Sequence, residues 1–254
     1  MSNPLITTKS QGFYNQRQKY FVDKDGVPHL WETLTFPTQC FNPHNLELVQ
    51  DAQGKPNECS VAAEVDDDCL IPSYKGRSRA KKRFFDAMMA DPELDAMVTL
   101  TFSPDKVERT SYAEIIKKLS VWLDNRVRRK GLKYLLVPEY HKDGVSIHFH
   151  GFMNSNSLKL VDSGHKQKGR KVYNVKDFDF GFTTAVMLDG NRERAAYYCY
   201  KYITKETVRI GGRYVLQGGA IAKPLYVYDN VDYFEAVGEA HEVDGLAYKI
   251  ATRG

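Results

Sequence analysis

The chain has 254 residues, of which 42% are hydrophobic and 27% charged, with a net charge of +4. That is apolar material enough to bury a core, which excludes a wholly disordered chain. No run reaches the roughly eighteen apolar residues of a helical membrane span. The opening MSNPLITTKSQGF has no basic region leading into an apolar core, so no secretory signal is expected. Cys40, Cys59, Cys69 and Cys199 form no C-x-x-C pair, which argues against a cysteine zinc site and lends little support to a disulfide framework. A reducing cytoplasm is the expected compartment.

The length suits one domain with sizeable extensions. Residues 1–72 read as an irregular, turn-rich N-terminal extension with Pro28, Pro37, Pro43 and Pro56 spread along it and a short strand at 61–63. Residues 73–210 read as the core, and residues 211–254 as a mixed C-terminal extension packed on it. The basic stretch 76–90 is expected to be a helix ending before Asp91-Pro92, because the residue before proline disfavours helical geometry. Residues 97–102, MVTLTF, are β-branched and apolar, a buried strand. Tyr112, Ile115, Ile116, Leu119, Trp122 and Leu123 make one stripe at the helical period of about 3.6. Ser111 and Glu114 form a capping box ahead of that helix, and Gly131 ends it. Residues 133–141 and 145–153 are strands joined at Asp143-Gly144, a hairpin signal. The polar stretch 154–171 reads as a mobile loop, 172–174 and 178–188 as strands, 191–206 as a helix, and 225–228 as a late strand. Hairpin neighbours and intervening helices predict an α+β fold, a central antiparallel β-sheet with helices packed on it.

His148 and His150 lie two apart on a predicted strand and so project from the same face. Two imidazoles placed side by side each need a partner if buried, or can share a divalent ion. The other strand of the hairpin offers Glu139 and His141 on one face. Glu139 with the two histidines would form a mixed nitrogen and oxygen site suited to Mn²⁺ or Mg²⁺; His141 would replace Glu139 or stand behind the ligands. In the late helix, Tyr198 and Tyr202 share a face, with Lys201 and Lys205 beside them. Aromatic packing with solvated lysines explains that pattern as readily as chemistry does. Ala195, Cys199 and Ile203 form a narrow stripe that could face the sheet. Basic residues gather at Lys75, Arg77, Arg79, Lys81, Lys82 and Arg83, at Arg126, Arg128, Arg129, Lys130 and Lys133, and at Lys166, Lys168, Arg170 and Lys171. This segregation suits a polyanion, although solvated faces give the same pattern.

Taken together, the 97–102 strand, Glu139, His148-Phe149-His150 and Tyr198-x-x-Lys201-Tyr202-x-x-Lys205 resemble the HUH endonucleases, in the same order as the family's three motifs. Within them the chain is similar to rolling-circle replication initiators of small phages, plasmids and related mobile elements, two-tyrosine branch, over residues 76–206. The resemblance implies a metal-dependent endonuclease and strand transferase acting on single-stranded DNA at a replication origin. Glu139, His148 and His150 would hold Mn²⁺ or Mg²⁺. Tyr198 would attack to give a 5′-phosphotyrosine and a free 3′-hydroxyl, and Tyr202 would act in rejoining. Lys201 would neutralise developing charge, and Lys205 would do the same or hold a neighbouring phosphate. Lys75, Arg77, Arg79, Lys81, Lys82, Arg83, Lys168, Arg170 and Lys171 would grip the DNA backbone. No phosphate-loop motif occurs, so a host helicase and DNA polymerase are the expected partners, in a bacterial cytoplasm and without a membrane. The rival readings are an HUH transposase or relaxase and, from another class, a noncatalytic nucleic-acid-binding module.

Overall fold

The computed structural model describes residues 13–41, 74–205, 210–243 and 246–252; of Phe41, Tyr74, Lys75, Thr204 and Lys205 it describes the backbone alone. The strand expected at 61–63 lies outside these residues. In chain order the elements are β1 (Phe13–Val22), β2 (Pro28–Phe41), α1 (Tyr74–Ala90), β3 (Ala96–Phe102), α2 (Tyr112–Lys130), β4 (Tyr134–Tyr140), β5 (Ile147–Met153), β6 (Leu160–Gln167), β7 (Arg170–Val175), β8 (Gly181–Met187), α3 (Arg192–Lys205), β9 (Leu216–Gly218), β10 (Leu225–Asp229), β11 (Glu239–Val243) and β12 (Leu246–Thr252). The fold is α+β, with two antiparallel sheets and three α-helices among the described residues. The chain divides into two compact units, Met1–Asp66 with Pro224–Gly254, and Asp67–Lys223.

The first unit is a five-stranded sheet in the order β10-β1-β2-β12-β11. Its β1–β2 hairpin occupies part of the N-terminal stretch that reads as irregular from sequence. Asp23 builds the turn: its Oδ1 accepts the backbone N–H groups of Asp25 and Val27, each at 2.9 Å. Two register shifts interrupt the β1–β2 pairing. They break the strict alternation that would have marked the strands, which is why the pattern is hard to read.

The second unit is a seven-stranded sheet in the order β6-β7-β8-β3-β5-β4-β9. Alternation gives it two different faces. From one face Ala96, Val98, Leu100, Phe102, Phe149 and Ala185 meet Ile115, Leu119, Trp122 and Leu123 of α2 in a single apolar core. Helix α2 starts and stops where its sequence says: Ser111 Oγ accepts from the Glu114 N–H, and Gly131 takes the left-handed conformation that closes the C-terminus. Arg126 belongs to this packing rather than to a free basic surface. Its guanidinium pairs with Asp177 and lies 4.0 Å from the centre of the Trp122 ring. Lys133 is likewise engaged, 2.9 Å from Asp91 and 3.1 Å from Glu93. The opposite face of the sheet receives α1 and α3, with Phe84 of α1 against Phe152 of β5 and Phe85 of α1 against Tyr197 of α3.

Two details keep the middle of this sheet regular. Pro138 cannot donate to a ladder, yet it sits in β4. It is tolerated because β9 pairs only with Tyr134, Leu135 and Leu136, so no partner stands beyond Pro138 on that side among the described residues. Gly151 follows His150 where β4 and β5 approach closely: a Cβ there would lie 1.8 Å from the Leu135 carbonyl oxygen. Gly151→Ala must therefore spread the two strands that carry Glu139 and the histidines. We expect it to destabilise the unit by about 3 kcal/mol or more. An unchanged urea midpoint would contradict this close approach.

The structure corrects the reading of residues 154–171 as a loop. Most of them form the β6–β7 hairpin, turned at Lys168-Gly169 with φ of 48° and 80°. Two successive positive φ values define the turn type whose twist matches that of the flanking strands. Its sequence is polar on both faces because most of β6 is exposed, so no alternation betrays the strand.

Candidate metal and tyrosine site

The site forms on the sheet face that α2 does not cover. Glu139 of β4 pairs in register with His148 of β5, and His150 pairs with Thr99 of the central strand β3. Three donors converge there. Glu139 Oε2 lies 3.1 Å from His148 Nε2 and 2.8 Å from His150 Nε2, and the two Nε2 atoms are 3.2 Å apart. Glu139 is buried, at 5% exposure, and both imidazoles are half-buried. Among the described residues these three form a group able to hold a metal ion.

Their spacing fits such an ion. Adjacent ligands of an octahedral ion at about 2.1 Å are about 3.0 Å apart, close to the three separations observed. The donor set, two neutral imidazoles and one carboxylate, suits Mn²⁺, Mg²⁺ or a similar divalent ion. His150 Nδ1 lies 3.0 Å from Thr99 Oγ1. An Nδ1–H donated to that hydroxyl leaves the Nε2 lone pair facing the cluster, the tautomer a ligand requires. Burial, reinforced by the neighbouring His148, holds the His150 pKa down to about 4, so its ring is neutral at pH 7. Of the two third-ligand candidates, Glu139 is the one in the cluster. His141 is exposed and stands beside it, its ring 5.4 Å from that of His148.

Helix α3 brings the tyrosines to this cluster. The Asn191 side chain accepts the Arg194 N–H at its start. Arg192 pins the same end, donating to the carbonyls of Met88, Asp91, Pro92 and Leu94. A guanidinium so placed ties α3 to the turn between α1 and β3. Ala196, Cys199 and Ile203 are buried, so the stripe facing inward passes through Ala196 instead of Ala195. Tyr202, 8% exposed, stacks on His150 with ring centres 4.2 Å apart and planes 12° from parallel. Tyr198, one turn earlier, is 44% exposed.

The two phenols are not equivalent. Tyr202 donates to the Tyr198 oxygen at 3.2 Å. The Lys201 ammonium lies 3.7 Å from the Tyr198 ring centre and 4.6 Å from that of Tyr202. The hydrogen bond with Lys201, followed by that from Tyr202, holds the Tyr198 pKa below the ordinary phenol value. Burial, and the proton committed to Tyr198, drive that of Tyr202 well above it. One phenol is thus biased toward the phenolate beside its cation, and the other keeps its proton.

The structure brings Glu139, His148, His150, Tyr198, Lys201 and Tyr202 together. The side chains of Lys75 and Lys205 lie outside what it describes. On α1, Arg79, Lys82 and Arg83 are exposed, whereas Arg77 and Lys81 are half-buried, Lys81 lying 5.6 Å from the Tyr200 ring centre. On the β6–β7 hairpin Lys168 is exposed, Arg170 faces Asp189 at 3.6 Å and Lys171 faces Asp162 at 3.1 Å. Sequence reasoning missed Thr99 and Arg192. Thr99 is recognisable only once the register of β3 against β5 is known; Arg192 looks like any charged residue in a first helical turn.

A half-open antiparallel sheet carrying an alternating histidine pair, a carboxylate on the adjacent strand and a tyrosine helix above them matches the HUH architecture implied by the sequence. Residues 95–207 match the family model of the replication-associated protein ORF2, and this segment is a domain of that family, consistent with a rolling-circle replication initiator. Neither a curated protein nor a solved structure matches the chain. No helix among the described residues is long and apolar enough to cross a membrane.

Proposed function

We propose that the protein is a replication initiator that nicks and rejoins single-stranded DNA at an origin through a tyrosine-linked intermediate. The observation that carries this reading is the seating of Tyr198 and Tyr202, with Lys201, directly on the Glu139–His148–His150 cluster. Neither a binding module nor a structural metal site needs two phenols there.

Glu139, His148 and His150 would hold the divalent ion, which when bound polarises and orients the scissile phosphate. Tyr198 is the first nucleophile. Its oxygen bonds to phosphorus, the bond from phosphorus to the 3′ oxygen breaks, and a 5′-phosphotyrosine and a 3′-hydroxyl result. Lys201 favours the phenolate before attack and offsets charge on the phosphate during it. Tyr202, donating to Tyr198 and one helical turn away, is placed to act when the strand is rejoined. Exposed cations on α1 and on the β6–β7 hairpin would hold DNA backbone, and Lys205 a neighbouring phosphate. Extension of the 3′-hydroxyl would fall to a polymerase and a helicase of a bacterial host.

The test is direct. The protein is incubated with labelled single-stranded oligonucleotides and Mn²⁺ and resolved on a denaturing gel. Label migrating with the protein, and absent in EDTA, is the expected result. Tight DNA binding without an adduct would favour a noncatalytic binding module.

A further inference from the structure

We propose that the cavity beside the tyrosines takes one unpaired nucleobase, that of the nucleotide next to the cleaved phosphate, and that Gln167 reads its edge. This rests on the nuclease reading above and adds the specificity-determining residue to it.

The cavity measures about 120 Å³. That is several times the roughly 30 Å³ share of one water in the liquid, yet below the roughly 300 Å³ at which pockets for whole small molecules begin. It has room for a planar ring and little more. Its floor comes from two rungs of the β3–β8 ladder, Met97 against Val186 and Thr99 against Thr184. Tyr198 and Tyr202 wall it on the α3 side, and Gln167 reaches it from the end of β6.

The lining chemistry selects among ligands. None of the residues around this cavity is a lysine or arginine, so it does not suit a phosphate. An apolar floor and aromatic wall suit a base ring. The Thr99 hydroxyl is already beside His150. The Thr184 hydroxyl and the Gln167 amide remain to meet polar atoms on the ring. An amide presents one donor group and one acceptor side by side, the complement of a base edge that offers both.

The hairpin explains how a base could be delivered. Gln167 immediately precedes the Lys168-Gly169 turn and pairs across it with Arg170. Lys166 and Lys168 on either side of Gln167 are exposed. Backbone phosphates held by those cations would leave the intervening base free to turn toward the cavity. The stretch that reads as a loop from sequence is then an ordered arm that positions the strand.

The experiment is an abasic and base-substitution scan of binding. Single-stranded oligonucleotides retained by the wild type from a randomised pool are remade with each position in turn abasic. Affinity is measured in EDTA, and adduct formation is measured on the same oligonucleotides with Mn²⁺. Loss of one stacked base is worth about 1–3 kcal/mol, so one position should weaken binding by about 5- to 150-fold when abasic. Gln167→Ala should reduce the preference among the four bases at that position to within about twofold, and Gln167→Glu, which has lost the amide donor, should shift it toward bases presenting an amino group. Gln167 is exposed, so neither variant removes core packing.

Failure to retain any oligonucleotide, a scan without a sensitive position, or a base preference untouched by both variants would overturn the cavity assignment. A sensitive position that Gln167 controls, without any adduct under Mn²⁺, would uphold the cavity and overturn the nuclease reading. An adduct without a sensitive position would do the reverse.

Discussion

Tyr198→Phe should abolish covalent DNA attachment, a loss of about a thousandfold or more, while Tyr202→Phe still cleaves but fails to transfer the strand. Removing a nucleophile removes the reaction it begins, so the loss should approach the detection limit. The asymmetry follows from the hydrogen bond between the phenols. Tyr198 accepts from Tyr202 and stands beside Lys201, which favours its phenolate; Tyr202 is buried on His150 and keeps its proton. Tyr202→Phe preserves the ring that stacks on His150 and deletes only the donated hydrogen bond. It should slow the first cleavage by several-fold, through a higher Tyr198 pKa, and stop the second transfer. Tyr198 is 44% exposed, so its phenylalanine variant should cost no more than about 1 kcal/mol. Rates of adduct formation and of ligation on a pre-nicked oligonucleotide separate the two roles. Cleavage surviving in Tyr198→Phe but lost in Tyr202→Phe would reverse the assignment.

The second large effect is expected from the ligand cluster. His148→Ala with His150→Ala should remove Mn²⁺-dependent cleavage by about a thousandfold or more and leave single-strand binding within about twofold, because the exposed cations lie on other elements. The double variant also strands the buried Glu139 carboxylate, which costs several kcal/mol when an ionic partner is removed. Glu139→Gln is the companion that keeps shape and hydrogen bonding. It should fold normally and bind Mn²⁺ at least tenfold more weakly by calorimetry. Persisting metal-dependent cleavage in either variant would contradict the ligand assignment. A pH signature accompanies it. His150 has a folded pKa of about 4, below its ordinary value near 6.5. The unfolded chain therefore binds more protons between these values, so this contribution to stability is fully present above about pH 6.5 and is lost as pH falls toward 4. Urea midpoints of the metal-free protein across that range should decline, and the decline should be smaller in His150→Ala.

How much of this was legible in the sequence differs by element. Helix α2 was readable end to end, because stripe, capping box and terminal glycine all act locally. The β4–β5 hairpin was readable through Asp143-Gly144 and the alternating histidines, and it brings Glu139 beside them. Strands β6 and β7 were not. Their exposed, polar faces leave no hydrophobic period, and only the two positive φ values at Lys168-Gly169 reveal the turn. Strands β1 and β2 were hidden by their register shifts. The remaining gaps are tertiary. That Thr99 sits behind His150, that Arg126 serves Trp122 and Asp177, and that Gln167 reaches the tyrosines depend on strand register and helix placement, which no window of sequence contains.

The measurement that tests the central claim most directly is to map the DNA-linked residue. Trypsin cuts after Arg194, Lys201 and Lys205, which places Tyr198 in AAYYCYK and Tyr202 in YITK. Wild-type protein is reacted with a single-stranded oligonucleotide and Mn²⁺, nuclease-trimmed, digested and analysed by fragmentation mass spectrometry. The account predicts a nucleotide remnant on Tyr198 in AAYYCYK after the first cleavage. A remnant confined to YITK, to Tyr197 or Tyr200, or to a residue outside α3 would contradict it.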